Sequence, residues 1–337
     1  MKDFYQCTPE EQAQRLAGLA HAALSRWELV DASVKMIKHR ENAVFRVTSA
    51  EQSYALRIHR ANYHTDQELR SELQWIEAIN SEALRTPQVI PTVDGAAFIH
   101  VQVDEVPEPR QVDLLEWFEG QPIASVEEGV EVTDVYSTYS EVGRLMALTH
   151  KHSEAWTEPA GFARHAWDEQ GILGDEPFWG RYWELAALSD EQRRRLQKAK
   201  VKALEELKTF GKNRDRYGLI HADFVPENLL RSDSGICLID FDDAGYGWHL
   251  FDIATSLFFL LGEPYFDEAS RALLAGYRQS RPLPDEHLSH LPMFFLLRGT
   301  TYLGWAHTRQ ETETAQSITP MIVAAVDELA QDYLQQE

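Results

Sequence analysis

The sequence predicts an α+β protein in two lobes: a small lobe of antiparallel strands carrying one main helix, and a larger, mostly helical lobe. Three observations carry that expectation. The chain has 337 residues, more than one ordinary domain and enough to bury a large core without staples. Residues 28–60 alternate apolar and polar side chains with the period that half-buried strands require. Beyond Gly120 the apolar positions recur at helical spacing instead.

The elements follow in order. Thr8, ahead of Pro9, Glu10 and Glu11, forms an N-cap with proline at the first helical position and acids in the first turn, so a helix runs to about Leu24. Strands are predicted over Leu29–Ile37, Ala43–Thr48 and Tyr54–His59. Leu69, Leu73, Trp75, Ile76 and Ile79 place a helix over Thr65–Ile79. Pro87 and Pro91 break the chain before two further strands, Ala96–Val103 and Gln111–Phe118, and Gly120 with Pro122 marks a turn. Helices are predicted over Tyr136–His152, Asp190–Phe210, Phe266–Arg278, Leu291–Thr308 and Pro320–Gln335, interrupted by a strand–turn–strand segment at 218–243. The small lobe is thus expected over residues 1–115, a connector over 116–120 and the large lobe over 121–337.

Charge narrows the possible partners. Against 32 Lys and Arg stand 54 Asp and Glu, a net charge of −22, which argues against a nucleic-acid surface. It leaves room for a locally basic nucleotide pocket. Cys7 and Cys237 cannot form a disulfide framework and read as reduced, buried thiols. The amino-terminal stretch lacks the apolar region of a signal peptide. The longest apolar run, Ile253–Leu261, falls short of the roughly 20 residues that span a membrane. The expectation is a soluble, cytoplasmic protein with no membrane partner; its oligomeric state is open.

Chemistry concentrates in Gly218–Asp252. Two apolar pieces, Leu219–Ile220 and Ile236–Ile239, flank a polar loop holding Asp223 and, five residues later, Asn228; Asp240 follows after a further twelve. A carboxylate on a loop, an amide, and a carboxylate at a strand end make a divalent-metal and general-base site. Such oxygen donors suit Mg²⁺, which binds through one or two carboxylates plus substrate phosphates. Asp223 would be expected to accept or orient a hydroxyl proton during in-line phosphoryl transfer. Each of these residues also occurs in solvated, capped turns; their joint spacing is what points to a site.

His221-Ala222-Asp223-Phe224-Val225-Pro226-Glu227-Asn228 resembles the catalytic loop H-R-D-L-x-x-x-N of the protein-kinase-like fold. Ile239-Asp240-Phe241-Asp242 resembles the metal-binding D-F-G, with Asp242 where the glycine would be. That acidic pair after Phe241 and the run Phe251-Asp252-Ile253-Ala254 are similar to the aminoglycoside phosphotransferase and choline kinase family. Within it the chain resembles the homoserine kinase and stress response kinase A-like branch, and Gly143-Arg144-Leu145-Met146-Ala147-Leu148-Thr149-His150 resembles the family's helix before its central insert. The likeness spans roughly residues 40–255. It implies a bilobal protein-kinase-like fold and an ATP- and Mg²⁺-dependent phosphotransferase. Asp223 would be the catalytic base, Asn228 and Asp240 would hold Mg²⁺, and His221 and Asp252 would brace the loop.

The small lobe would then bind the nucleotide. Arg57, in Tyr54-Ala55-Leu56-Arg57-Ile58-His59, sits where the family has Lys or Arg, and its fork could grip α- and β-phosphate oxygens in bidentate fashion. Glu72, or Glu68 one turn earlier, is its expected ion-pair partner, and Glu72 fits the family spacing. The phosphate-covering position, Arg40 to Arg46, holds no glycine, so close backbone approach to phosphate is harder and Asn42 is expected to offer its amide instead. The connector Leu114–Gly120 resembles the interlobe hinge, where the backbone of Glu116 and Phe118 would meet the adenine edge; a plain edge strand is the alternative.

Acceptor identity is the least legible property. Position 225 is Val where protein kinases carry Lys, and only eleven residues separate Asp240 from Asp252, too few for a long activation segment. Both features favour a small hydroxylated acceptor. Between His100 and Gly143 eleven acids face one base, Arg110, which suits an amine-bearing acceptor or simply a solvated face. The aromatic stretch Phe178–Trp183 offers rings for an acceptor site or for the core. The stretch 193–216, with ten Lys or Arg and three acids, reads as an exposed helix. Competing readings are a Ser/Thr protein kinase of the stress response kinase A type, a nucleotide-binding pseudokinase, and, last, a metal-dependent hydrolase.

Overall fold

A computed structural model describes residues 3–39, 42–50, 52–123, 134–233 and 235–336. The chain runs through α1 (Pro9–Ala23), β1 (Ser33–His39), β2 (Ala43–Ser49), β3 (Gln52–Ile58), α2 (Asp66–Ile79), β4 (Phe98–Val101), β5 (Arg110–Glu116) and β6 (Gln121–Pro122). Then come α3 (Val135–Ala155), β7 (Ala166–Trp167), α4 (Glu169–Leu173), α5 (Asp190–Phe210), β8 (Tyr217–Ile220), β9 (Leu229–Ser232), β10 (Gly235–Leu238) and β11 (Gly245–Trp248). It closes with α6 (His249–Phe258), α7 (Phe266–Ser280), α8 (Asp285–Leu288), α9 (Leu291–Thr308) and α10 (Glu313–Gln335). The chain divides into two compact units. The first is Met1–Gln121 with Glu158–Ala163 and Leu230–Asp242, and the second is the remainder. The connector region therefore does not cleanly partition the chain: Asp240, far downstream, belongs to the first unit.

The first unit is built on a five-stranded antiparallel sheet in the order β1-β2-β3-β5-β4. One face buries Phe45, Val47, Leu56, Val112 and Leu114 against Leu19, Ala20 and Ala23 of α1. The Thr8 capping box starts α1 as the sequence predicts. Its far end differs from expectation. A 3₁₀ turn over Leu24–Trp27 and a left-handed Glu28 (φ 56°) stop the helix, so the strand expected from Leu29 begins at Ser33. Strand β10 is tied to this unit by a bridge between Cys237 and Arg85, with the Leu238 N–H donating to the Arg85 carbonyl at 3.0 Å.

The second unit is helical. Helices α3 and α7 approach at glycines because nothing larger fits: a Cβ on Gly143 would lie 1.9 Å from the Leu273 carbonyl oxygen, and one on Gly276 1.8 Å from that of Ser140. Helix α9 is buried on all sides from Met293 to Gly304, as its near-continuous apolar sequence requires. Helix α6, wholly buried, has no periodicity to reveal it in the sequence. The helix expected from Pro320 begins instead at Glu313, where the Thr312 hydroxyl caps Ala315 N–H, leaving the proline inside the helix.

Candidate functional site

Strand β8 ends at Ile220 and delivers His221, Ala222 and Asp223 onto a loop of the second unit. Ala222 adopts a left-handed conformation (φ 62°) that a side chain disfavours. Asp252, on α6, holds it: Oδ1 accepts the Ala222 N–H at 2.7 Å and Oδ2 the His221 N–H at 3.1 Å. His150 Nε2 lies 3.0 Å from the same Oδ2, and burial pushes the Asp252 carboxyl up to about 6. His221 turns its ring inward, where Nδ1 accepts the Asp223 N–H at 3.3 Å. The 3₁₀ turn Pro226–Asn228 then brings Asn228 back to Asp223. Asn228 Nδ2 donates to Asp223 Oδ2 at 2.8 Å and to the Asp223 carbonyl at 2.9 Å.

The other carboxylate oxygen carries a contact that the sequence reading missed. Arg298 of α9 donates from Nη2 to Asp223 Oδ1 at 2.8 Å and from Nη1 to the Ala222 carbonyl at 3.0 Å. The Arg298 side chain is unexposed, whereas that of Asp223 remains 23% exposed. One signal was available. Arg298 is the lone charge in a helix otherwise suited to the core, and buried charges are seldom without a partner.

The first unit gathers a second ionic cluster. Arg57 on β3 faces Asp113 directly across the sheet, where Nε and Nη2 donate to the two carboxylate oxygens at 2.9 and 2.7 Å. Nη1 donates to Glu72 of α2 at 2.8 Å. Glu68, the alternative partner, is spent on the Thr65 capping box. The guanidinium fork expected to grip phosphate thus faces Asp113, an acid no sequence signal singled out. A phosphate contact is left to the terminal N–H groups. His59 Nε2 lies 2.8 Å from Asp113 Oδ2, and its Nδ1 3.7 Å from Asp242 Oδ1. Burial disfavours charge on His59, but Asp113 outweighs it and raises the imidazole to about 9. Burial likewise opposes ionisation of Asp113, yet Arg57 and His59 hold it down at about 2.

Ligand atoms of His64, Glu72 and Asp242 lie within 4.8 Å of one another. The setting disfavours a metal: Glu72 already pairs with Arg57, and protonated His59 lies beside Asp242. We read the cluster as an internal ion-pair network.

The remaining predicted residues are placed as follows. Asn42 Oδ1 accepts the Arg60 N–H at 3.2 Å; Arg40 and Glu41 of the same predicted loop lie outside the described residues. The Glu116 N–H donates to the Gln88 carbonyl at 2.8 Å, so only its carbonyl could serve a purine edge. The Phe118 ring stacks under Arg85, 5.0 Å away. Asp240 is exposed, with φ 66°. The structure brings together Asp223 with Asn228, and Arg57 with Glu72; Asp240 belongs to the other unit from Asp223. In the aromatic stretch, Trp179 and Tyr182 are core residues, at 7% and 2% exposure, and Phe178 stacks on His165 at 3.9 Å. Of the acids between His100 and Gly143, Asp113 is fully buried, and Glu127, Glu128 and Glu131 lie outside the described residues.

A family model described as the phosphotransferase enzyme family matches residues 33–287. The chain belongs to that family. A solved microcompartment-associated aminopropanol kinase is similar over 94% of this chain and 97% of its own, at 32% identity and a TM-score of 0.83. An amicoumacin kinase of Bacillus subtilis is 26% identical over 93% of this chain and 89% of its own length. An amicoumacin kinase solved with AMP-PNP and Ca²⁺ shares the fold, at a TM-score of 0.71 and 19% identity over 95% and 94% of the two chains. The chain is thus a small-molecule phosphotransferase, a kinase with an alcohol group as acceptor, on a protein-kinase-like α+β fold. Among the described residues no helix is long and apolar enough to cross a membrane.

Proposed function

We propose that this kinase transfers the γ-phosphate of ATP, with Mg²⁺, to the hydroxyl of a small amine-bearing acceptor, with Asp223 as general base. The observation that carries the reading is the Asp223 carboxylate, paired with Arg298, oriented by Asn228 and still partly open to solvent. Phosphoryl transfer through a loose transition state needs an oriented proton acceptor more than a strong base. An oxygen set at fixed distance from a bound hydroxyl supplies that orientation.

Asn228 and Asp240 would each offer an oxygen donor of the kind a hard cation takes. The amide nitrogen of Asn228 is committed to Asp223, which leaves its oxygen as the ligand atom, and Asp240 offers an exposed carboxylate. Mg²⁺ bound there would neutralise developing charge on the phosphates. In the small lobe, Arg57 with Glu72 and the amide of Asn42 would meet the phosphates, and the hinge backbone at Glu116 and Phe118 the adenine. The amine preference is supported by the aminopropanol kinase, which is named for an amino alcohol, and by the acidic balance of the chain. ATP is supported by the AMP-PNP bound to the amicoumacin kinase.

The test is a screen of ADP release over amino alcohols, homoserine-like amino acids, sugars and aminoglycosides. One amine-bearing acceptor should raise ADP release well above the rate with water, and Asp223→Asn should abolish the increase. No stimulation by any acceptor would overturn the proposal. Stimulation by sugars alone would overturn the amine preference.

A further inference from the structure

Arg298 is the only charged residue between Met293 and Gly304 of the sequence, and its burial is costly. Its guanidinium is fully enclosed, and among the described residues Nε finds no hydrogen-bond acceptor. An apolar residue of similar length would avoid that loss. The terminal nitrogens show what the arginine does instead. Nη1 holds the Ala222 carbonyl, and Nη2 holds Asp223 Oδ1 and also reaches the Tyr302 hydroxyl at 2.8 Å. Three rings enclose the cation, with centroids 4.2 Å (Tyr302), 4.9 Å (Trp179) and 5.5 Å (Phe251) away. Aromatic walls on several sides leave the guanidinium little freedom to turn.

The Ala222 peptide is the strained point of the loop, and both its polar groups are clamped: the N–H by Asp252, the carbonyl by Arg298. The Asp223 carboxylate is clamped at both oxygens, by Asn228 and by Arg298. A carboxylate terminal torsion is otherwise broad and two-fold, so an unclamped Asp223 would spread over many orientations. One rigid, two-nitrogen group spans the backbone oxygen and the side-chain oxygen together. Lysine, a single point charge, could not span both.

We propose that Arg298 is a positioning residue for phosphoryl transfer. It fixes Asp223 so that a remaining carboxylate lone pair faces the acceptor hydroxyl, and it holds the strained backbone that presents Asp223. This rests on the reading of Asp223 as general base. It adds that the loop is set from α9 as well as from α6.

The test uses Arg298→Lys, Arg298→Met and Arg298→Ala in the full chain, with aminopropanol or whichever acceptor of the panel the wild type turns over. Folding is monitored by thermal midpoint and by binding of a fluorescent ATP analogue. For Arg298→Met we expect kcat to fall about 10²-fold, the usual cost of a misplaced reacting group, with both KM values nearly unchanged. Arg298→Lys should lie between that variant and the wild type, and added guanidinium ion should restore part of the kcat of Arg298→Ala. A folded Arg298→Lys or Arg298→Met with wild-type kcat would overturn the proposal. So would a rise in acceptor KM at constant kcat, which would place Arg298 in binding. If Arg298→Met fails to fold, Arg298→Lys decides by the same readouts. A wild type inactive toward every acceptor would instead overturn the phosphotransfer reading and this inference with it.

Discussion

Arg57 in the first unit and Arg298 in the second are both buried, and both meet carboxylate oxygens at 2.7–2.9 Å. Their partners differ. Glu72 and Asp113 have no exposed side-chain surface, whereas Asp223 keeps 23% of its own. Around Arg57 the acids Glu72, Asp113 and Asp242 meet Arg57 and protonated His59, and Nε, Nη1 and Nη2 of the arginine each donate to an acid inside the cluster. Around Arg298 one carboxylate is fixed but left open. Ion pairs of this kind therefore serve two ends: with its acids enclosed the pair ties a sheet to a helix, and with its acid open on one side it aims a reactive group. The first kind should dominate stability and the second kcat.

The largest expected effect tests the second half of that contrast. Asp223→Asn preserves volume but removes the proton acceptor and turns an amide N–H toward one of the two donors, Asn228 or Arg298; we expect kcat to fall about 10²–10⁴-fold, with a loss of stability smaller than that of Asp113→Asn because Asp223 keeps 23% exposure. Steady-state kinetics with calorimetry would check it. A drop in stability equal to that of core variants would erase the distinction between the two arginines.

Asp113→Asn tests the first half. Removing one charge leaves buried Arg57 undercompensated while preserving volume, and breaking a buried pair typically costs about 3–5 kcal/mol. Denaturant unfolding should show that loss. The residual kcat of the folded fraction should change far less than in Asp223→Asn.

The pH dependence of stability sharpens the comparison further. His59 is raised from the ordinary imidazole value to about 9, chiefly by Asp113 acting against burial. A group whose native pKa is raised contributes its full stability below the unfolded value, about 6.5, and loses it as pH rises through about 9. Unfolding free energy should therefore fall by roughly 2–3 kcal/mol between pH 6.5 and 9.5, a slope that His59→Gln removes. Equal slopes in the two proteins would show that His59 carries no proton in the native cluster.

Much of this was legible in the sequence, for reasons that also explain what was not. Thr8 and Thr65 announce their helices because a capping side chain acts within three residues. Asp223, Asn228 and Asp240 stand out because their spacing is local. Asp113 and Arg298 did not, because their meaning lies in partners 56 and 75 residues away. Within Gln111–Phe118 an acid reads as a strand's solvent face, and only the register of β5 on β3 reveals that Asp113 faces Arg57. Helix α6 escaped for the opposite reason: burial on every side erases the period that marks a helix.

The smallest expected effect asks how far the closed cluster depends on local chain structure. Thr65 caps α2 by accepting the Glu68 N–H at 3.2 Å, while the Glu68 carboxylate accepts the Thr65 N–H at 2.9 Å. One turn further on, the same helix presents Glu72 to Arg57. Thr65→Ala removes the cap without touching the ion pair, and such a loss costs about 1 kcal/mol. If α2 is held chiefly by its cap, the first turn frays and the Glu72 contact weakens with it. A double-mutant cycle of Thr65→Ala with Glu72→Gln would then show coupling. If the closed cluster itself pins the helix, as the burial of Glu72 on α2 argues, the two losses should add independently. Additivity is the expected outcome, because a carboxylate with no exposed surface is held by its partners and not by the turn before it.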